Sequence, residues 1–406
     1  MYKLRDYQKE MSQLAIWHLR NYNKPFILVG ATGCGKSLVI ADICHKLDEP
    51  VLILQPTKEL LEQNYAKLKS YDIDDVAIYS ASMKTKEVGK FTYATIGSIY
   101  KKPELFKHFK YVIIDECHLV NPKNLDGMYT KFLNAIECTR VCGLTATPYR
   151  LQQKYFRENG QMYYTSHLKM INRIHPFFFK KIAYTIETQE LIDMGYLCPI
   201  KYRSDEIDWN LLEVNSTGAD FTAESMERFW NDGRLKKIAL TIQMIDQNCQ
   251  RNLIFCSSIR QAQRVVDMLS DIGIGSALIT SDTPPNERQD AITEFKDGMT
   301  KHLVNVGVLT TGFDVPELDC ITLARPTMSL ALYYQMVGRG VRIDPARPDK
   351  MLRVYDFAGC VRKLGRVETI KLAKEDGWKD CVVSEVGRMD ERPLFKFVVK
   401  KEMFKR

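Results

Sequence analysis

The stretch FILVGATGCGKSLVIADICHKL, Phe26 to Leu47, carries the strongest fold information in the chain. It opens with an apolar run of strand type, passes through the glycine-rich segment GATGCGKS, and closes with a segment of helical type. The glycine-rich segment fits the pattern G-x-x-x-x-G-K-[ST], in which backbone amides close around a phosphate and the dipole of the following helix favours negative charge. A strand, such a loop and a helix in this order predict a phosphate-binding α/β domain.

The positions of this loop have distinct predicted tasks. Lys36 offers its ammonium to the β- and γ-phosphates of a nucleotide, and the Ser37 hydroxyl is a predicted ligand of Mg²⁺. The remaining loop residues are predicted to contact the nucleotide, mainly through backbone N–H groups: Gly30, Ala31, Thr32, Gly33, Cys34 and Gly35. The alternative is a chance glycine-rich turn, which the flanking strand and helix patterns disfavour.

Length and composition limit the possible classes of protein. The chain has 406 residues, enough for two domains of ordinary size. Its net charge of +8 and sequence pI of about 8.8 permit nucleic acid as a partner without demanding it. No apolar signal core or run of 18 apolar residues is visible, so we expect neither secretion nor a membrane span, and a cytoplasmic location. Eleven cysteines without a repeating CxxC predict reduced thiols and no zinc.

Short apolar runs alternate with amphipathic segments in two separate parts of the chain. Runs that are apolar throughout are typical of strands buried on both faces of a parallel sheet. Eight such runs are FILVG, VLILQPT, YVIIDE, VCGLTAT, NLIFCSS, SALITSD, HLVNVGV and CITLARP. The segments KELLEQNYAKLKSY and SIRQAQRVVDMLSDIG have helical spacing. The pattern predicts two α/β domains with doubly wound parallel sheets, placed at 1–200 and 236–406 with a connection at 201–235.

Two adjacent carboxylates follow a predicted buried strand in YVIIDECH. Asp115 and Glu116 would be costly at that position unless they had a task. In a protein with a phosphate loop, one carboxylate holds Mg²⁺ and the next orients or deprotonates the attacking water. We therefore assign Asp115 to the metal and Glu116 to the water, with a solvated strand end as the alternative.

Several short segments, taken in order, resemble the motifs of superfamily-2 helicases of the DEAD/DEAH-like kind. GATGCGKS is similar to motif I, PTKEL (56–60) to motif Ia, YATIGSI (93–99) to the next strand-contact motif, and DECH to motif II. TATP (145–148) resembles motif III, FCSS (255–258) motif IV, VLTTGFDVP (308–316) motif V and QMVGRGVR (335–342) motif VI. LRDYQ (4–8) resembles the element that reads adenine. The order covers roughly residues 1–360.

The resemblance implies two RecA-like domains in tandem, with ATP bound in a cleft between them. It assigns Arg342 and Arg339 to the γ-phosphate, where a guanidinium stabilises the charge of phosphoryl transfer. Two arginines three apart would share one face of a helix, and a solvated helix face is the alternative. The resemblance also implies that Gln335 reports the nucleotide state. Further implied nucleotide contacts are Arg5, Gln8, Gly312 and Asp314, and implied coupling residues are His118, Thr145 and Thr147.

The resemblance further places five small donors on the backbone of a nucleic-acid strand: Thr57, Thr95, Ser98, Ser257 and Thr310. Such groups grip phosphates without reading sequence, although each alone is more often a helix cap or turn residue. The segment HLKMINRIHPFFFKKIAY (167–184) interleaves bases with aromatic rings, which either stack on a single strand or pack beneath a β-strand. The tail 386–406 holds seven Lys or Arg against three acids, and either extends this track or forms a final strand.

The finer resemblance is to RadD-like and phage UvsW-like repair helicases. Its carriers are LTATPYR, ELIDMGYL, DTPPNERQDAITEFKDG, VGVLTTGFDVPELDCITLARPT and VYDFAGCVRKLG. RadD-like proteins carry a cysteine-rich zinc segment near the C-terminus, where this chain has only Cys360 and Cys381. The resemblance thus implies an ATP- and Mg²⁺-dependent helicase acting on single-stranded, forked or branched DNA in a bacterial or phage-infected cell. The alternatives are an RNA helicase, a restriction-system motor subunit and a non-catalytic ATP-gated clamp.

Overall fold

The computed structural model describes residues 3–71, 73–121, 123–124, 126–215, 220–309, 313–375, 379–390 and 395–398. The chain divides into two compact units. Unit 1 contains residues 1–150 and 169–187, and unit 2 contains residues 151–168 and 188–406. The chain therefore passes from one unit to the other three times. The sequence-based boundary at residue 200 differs from this division, because 151–168 and 188–200 belong to unit 2.

Unit 1 is built on an eight-stranded sheet in the order β10-β1-β7-β6-β2-β5-β3-β4. All of its pairs are parallel except β3 with β4. The strands are β1 Phe26–Gly30, β2 Val51–Gln55, β3 Val76–Ser80, β4 Thr85–Lys86, β5 Phe91–Thr95, β6 Tyr111–Ile114, β7 Val141–Thr145 and β10 Lys181–Ile186. Strands β1, β2, β6 and β7 are buried along their whole length, as expected of strands covered on both faces.

Five helices accompany this sheet: α1 Asp6–Asn21, α2 Lys36–Leu47, α3 Lys58–Lys69, α4 Ile96–Ile99 and α5 Met128–Ala135. Apolar side chains of α1, α2 and α3 join those of the strands in one core cluster, which includes Met11, Ile40 and Leu61. The parallel strands place all their carboxyl ends at one edge of the sheet. The phosphate loop after β1 and the acidic residues after β6 therefore share that edge, where open α/β sheets bind ligands.

Unit 2 contains a six-stranded, wholly parallel sheet in the order β11-β16-β15-β12-β14-β13. Its strands are β11 Ile200–Ser204, β12 Asn252–Cys256, β13 Ser276–Ile279, β14 His302–Val306, β15 Cys320–Ala324 and β16 Leu352–Asp356. Its helices are α6 Thr188–Asp193, α7 Ala223–Phe229, α8 Asp232–Ile245, α9 Ile259–Asp271, α10 Pro285–Asp297, α11 Leu330–Gly338 and α12 Cys360–Leu364.

Two small three-stranded sheets complete the described part of the chain, in the orders β20-β9-β8 and β17-β18-β19. The strands are β8 Tyr149–Glu158, β9 Gln161–Met170, β17 Lys371–Glu375, β18 Lys379–Ser384, β19 Gly387–Arg388 and β20 Phe395–Val398. β20 pairs antiparallel with β9, so part of the basic C-terminal segment is indeed a strand. None of the described helices is both long and apolar enough to cross a membrane.

The structure confirms the eight predicted strands and the two helices read from periodicity. One expectation about helix geometry is wrong. Arg339 and Arg342 do not share a helix face, because α11 ends at Gly338 and Arg339 is its C-cap residue. Gly340 follows, where a Cβ atom would collide with the side chain of Leu352, and Arg342 bridges to Leu197 in extended backbone.

Candidate nucleotide-binding site

The phosphate loop lies between β1 and α2 in unit 1, as its sequence predicts. Gly33 and Gly35 have φ angles of 85° and 83°, a left-handed backbone that residues with a Cβ atom rarely adopt. Gly35 is the N-cap residue of α2, so Lys36 and Ser37 open the helix. The Lys36 ammonium donates to the carbonyl of Gly30 at 3.2 Å. The lysine is therefore held over the loop that its sequence motif assigns to phosphate.

The start of α1 is joined to this loop by two side chains. Gln8 donates from Nε2 to the carbonyl of Cys34 at 2.8 Å, and the Tyr7 hydroxyl donates to the same oxygen at 2.7 Å. The Gln8 Oε1 accepts from the backbone N–H of Arg5 at 2.9 Å. Gln8 is buried, and its hydrogen bond to Cys34 helps to hold the phosphate loop in place. The predicted adenine-reading element thus lies directly beside the phosphate loop.

Asp115 lies at the carboxyl end of β6 and is almost fully buried, with 4% of its surface exposed. Burial and the neighbouring charge of Glu116 raise the pKa of Asp115 to about 6, while Lys36 acts in the opposite direction. Asn64 on α3 donates from Nδ2 to the Asp115 carboxylate at 3.1 Å, and the backbone N–H of Glu116 donates to its other oxygen at 3.0 Å. A cation bound beside such a buried carboxylate would stabilise its negative charge, which few hydrogen-bond donors do here.

Glu116 and His118 form a compact polar network with the end of β7. Glu116 has a φ angle of 49°, a left-handed conformation that is uncommon for a residue with a side chain and recurs at functional sites. The His118 Nδ1 lies 3.2 Å from Glu116 Oε2 and 2.9 Å from Thr145 Oγ1. Thr147 approaches the same nitrogen at 3.4 Å and donates its N–H to Thr145 Oγ1 at 3.0 Å. The predicted catalytic carboxylate and all three predicted coupling residues therefore meet.

The side chains of unit 1 fit a magnesium-bound nucleoside triphosphate. The Lys36 ammonium and the backbone amides of the loop 30–35 suit the phosphates. The Ser37 hydroxyl and the buried Asp115 carboxylate suit the metal. Burial first, and the neighbouring Glu116 carboxylate second, raise the pKa of Asp115, and a bound divalent cation would favour its charged form.

The predicted nucleotide contacts of unit 2 are described only in part. Arg342 forms an ion pair with Asp314, and Arg339 donates from Nη1 to the carbonyl of Phe313 at 3.1 Å. Gln335 is half-buried on α11. The two arginines therefore both contact the segment that resembles motif V. Gly312 lies outside the described residues.

The predicted strand-contact residues hold local hydrogen bonds. Thr57 caps α3, accepting the N–H of Leu60 at 3.3 Å. The Thr95 and Ser98 hydroxyls lie 2.8 Å apart, and Ser257 accepts from the Trp230 indole at 3.2 Å. All four side chains are half-buried. Thr310 lies outside the described residues.

Three residues of the site were missed by the sequence analysis. Tyr7 and Asn64 have the contacts given above, and Arg150 donates to the carbonyls of His118 and Leu119 at 3.1 and 3.3 Å. Burial weakens the protonation of Arg150 and lowers its pKa. Tyr7 lies within LRDYQ and Arg150 within LTATPYR, so motif position could have drawn attention to both. Asn64 carried no such signal, because it lies on an otherwise ordinary helical pattern.

Two family models match the chain in separate ranges. Residues 1–150 match the model described as "Type III restriction enzyme, res subunit". Residues 236–344 match the "Helicase conserved C-terminal domain". The first range contains the phosphate loop and the acidic strand end, and the second contains the two arginines.

A curated protein is similar in sequence to most of this chain. The Saccharomyces cerevisiae protein named "Putative ATP-dependent helicase IRC3" is 27% identical over 379 residues that cover 88% of this chain. The chain spans only 52–61% of the length of the first curated relatives it matches.

Two solved structures share the fold. The restriction-modification enzyme LlaBIII bound to DNA has a TM-score of 0.64 at 18% identity, covering 87% of this chain and 27% of its own. Dbp5 of S. cerevisiae bound to RNA and ADP BeF3 has a TM-score of 0.54 at 14% identity, covering 87% and 83%. The expected pair of RecA-like domains is confirmed.

Proposed function

We propose that this chain, which carries the two conserved domains of a superfamily-2 helicase, hydrolyses ATP and uses the energy to move along DNA. The observation that carries the proposal is the polar network of unit 1, in which Lys36, Asp115, Glu116 and His118 meet at one sheet edge. Phosphoryl transfer needs positioned charge more than covalent chemistry, and this edge supplies both signs.

Each residue of unit 1 has a separate role in the proposal. Lys36 and the loop amides bind the phosphates, while Ser37 and Asp115 would hold Mg²⁺, which neutralises phosphate charge when bound. Glu116 orients the attacking water and accepts its proton. His118, Thr145 and Thr147 fix the Glu116 carboxylate and transmit its state toward the polypeptide that follows β7. Gln8 and Arg5 select adenine.

The arginines of motif VI complete the proposed reaction. Arg342 and Arg339 stabilise the charge that develops on the γ-phosphate, and Gln335, Gly312 and Asp314 contribute to the same nucleotide. The ion pair of Arg342 with Asp314 supports this role in one respect. It holds the guanidinium next to the motif V segment instead of leaving it in solvent.

DNA is the proposed track, contacted by Thr57, Thr95, Ser98, Ser257 and Thr310. The support is the net charge of +8, the DECH form of motif II and the resemblance to RadD-like and UvsW-like repair helicases, which favours strand separation or branch migration in repair or recombination. A similar fold in an RNA-bound protein keeps RNA as the alternative track.

A motor subunit of a restriction system is the second candidate. It is favoured by the restriction-enzyme description of the model that matches residues 1–150, and by the fold shared with LlaBIII. In that candidate function the residues of this chain supply movement along DNA, and no cleavage is assigned to them.

The experiment that tests the proposal compares ATP hydrolysis with single-stranded DNA, duplex, fork, four-way junction and RNA. We expect DNA to stimulate hydrolysis more than RNA, and Glu116→Gln to abolish it on every nucleic acid. Stimulation by RNA alone would identify RNA, not DNA, as the track. A hydrolysis rate that no nucleic acid changes would contradict the proposed motor function.

A further inference from the structure

An aromatic and basic surface lies at the edge of the unit 1 sheet opposite the nucleotide site. β1 and β10 both begin there, with Phe26 paired to Lys181, whereas the phosphate loop follows the other end of β1. We call this surface the aromatic–lysine strip. Its members are Trp17, Tyr22, Lys24, Phe177, Lys180 and Lys181.

Direct contacts make the strip continuous. The Trp17 and Tyr22 rings meet edge to face with centroids 5.2 Å apart, and the Lys181 ammonium lies 5.3 Å from the Tyr22 centroid. Lys180 donates its N–H to the carbonyl of Pro25 at 2.8 Å. Lys180 and Pro25 line both of two neighbouring cavities, of about 180 and 380 Å³, and Tyr22 lines the smaller cavity while Phe177 lines the larger one.

The outer rings of the strip are not part of the core. Trp17, Tyr22 and Phe177 are 51%, 45% and 49% exposed, whereas Phe179 is fully buried. The bland interpretation of the aromatic segment, packing beneath a strand, therefore holds for Phe179 and fails for Phe177. Large rings grouped on a surface mark a binding site more often than single scattered ones.

A buried histidine, His18, lines the smaller cavity and has an unsatisfied ring nitrogen. His18 is only 3% exposed and lines the same cavity as Tyr22, Lys24 and Lys181. Its Nδ1 has no hydrogen-bond partner among the described residues. A buried ring nitrogen without a partner is costly. A polar group that entered beside the lysines would satisfy this nitrogen.

We propose that the aromatic–lysine strip binds single-stranded nucleic acid, with unpaired bases stacked on Tyr22, Trp17 and Phe177 and phosphates held by the lysines. Rings alternating with cations are the pattern by which proteins hold single strands without reading sequence. An acidic peptide would match the lysines but would leave three exposed rings without planar partners. The strip would hold a second stretch of strand, separate from the motif track.

Photo-crosslinking locates the strand independently of motor activity. The full chain is irradiated with a 20-nucleotide oligothymidylate carrying 5-iodouracil, and crosslinked peptides are mapped by mass spectrometry. We expect crosslinks at Trp17, Tyr22 or Phe177. Crosslinks confined to other surfaces would overturn the proposal, even if the chain proved to be an active helicase.

Substitutions then measure the contribution of each kind of contact. Tyr22→Ala and Phe177→Ala should each weaken oligothymidylate binding at least about fivefold while leaving blunt duplex binding unchanged, because stacking needs unpaired bases. Lys180→Ala with Lys181→Ala should lower the salt dependence, the slope of log affinity against log salt, by about 1.4.

The matched control is Lys101→Ala with Lys107→Ala, two exposed lysines elsewhere in unit 1, which should leave the crosslinks in the strip. ATP hydrolysis without nucleic acid should stay at the wild-type rate in the strip variants. ATP hydrolysis by Glu116→Gln tests the proposed motor function and has no bearing on the aromatic–lysine strip. The proposal would be overturned if the strip variants and the control variant bound oligothymidylate with equal affinity. It would also be overturned if a polyglutamate–tyrosine peptide displaced the oligonucleotide and no crosslinks formed in the strip.

Discussion

Asn64 gives the sharpest test of the site because its buried amide donates directly to the Asp115 carboxylate at 3.1 Å. We consider the variant Asn64→Leu, which keeps the side-chain volume. Asn64 is fully buried and its Oδ1 has no partner among the described residues, so leucine removes one useful hydrogen bond and one unsatisfied oxygen. We therefore expect the variant to fold, with a melting temperature that is lowered by the lost hydrogen bond and partly restored by removal of the unsatisfied oxygen.

The magnitude follows from the ionisation of Asp115. A hydrogen bond to a charged group contributes about 1.5–3 kcal/mol, which corresponds to about tenfold to hundredfold in a protonation equilibrium. The pKa of Asp115 is already about 6, raised by burial and by Glu116, and loss of the Asn64 donor raises it further. Protons then compete more strongly with Mg²⁺. The Mg²⁺ requirement should rise about tenfold or more near pH 6, and the difference should vanish near about pH 9.

The assay is ATP hydrolysis titrated with Mg²⁺ at several pH values, beside nucleotide binding and thermal unfolding. Glu62→Ala, on the exposed face of the same helix, is the control and should behave like wild type. Equal Mg²⁺ requirements for Asn64→Leu and wild type near pH 6, with both folded, would refute the assignment of Asp115 to the metal. A uniform loss at every pH would point instead to misplacement of the carboxylate.

Three further predictions concern other parts of the chain. Glu116→Gln should keep Mg-ATP binding and stop turnover, and near-normal hydrolysis would remove Glu116 from the water-activating role. Arg342→Ala should leave ATP binding within a few-fold and cut turnover by about 10³–10⁵, and Arg342→Lys should not restore it fully; wild-type turnover would leave no catalytic role for the arginine. Burial lowers the pKa of His18 and His302 below 6.5, so the unfolded state gains protons first on acidification and stability should fall below about pH 6.5. His302→Asn should flatten that fall in denaturant titrations, and an unchanged pH slope would contradict the assignment.

The fold could be predicted from the sequence because its strongest signals are local and repeated. Fully apolar runs such as VLIL at Val51 and YVII at Tyr111 are typical of strands covered on both faces, and each is a buried strand. The glycines of the loop fixed the turn into α2. For the same reason, the sequence predicts that Lys36, Asp115 and Glu116 lie at one edge of the sheet.

The supporting contacts could not be predicted, because they join residues that are distant in sequence and unremarkable in type. Asn64 reaches Asp115 across 51 positions, and Tyr7 reaches Cys34 across 27. The end of α11 was misplaced for a different reason. QMVGRGVR continues a helical pattern in composition, but the helix ends at Gly338, and Gly340 leaves room for the side chain of Leu352, a residue that is distant in sequence.

The threefold passage of the chain between the units affects how the protein can be made and dissected. Strand β10, which flanks β1 and accepts the N–H of Ala31 through Ile186 at 3.1 Å, is synthesised only after the β8–β9 hairpin. A ribosome must therefore release nearly half the chain before the sheet that bears the phosphate loop is complete. A fragment cut at residue 150 would expose one side of β1, whereas one cut after residue 187 would retain the whole sheet. A single proteolytic nick at either early crossing would give two fragments that no covalent bond joins, and the hydrogen bonds between β1 and β10 would be among the contacts that hold them together.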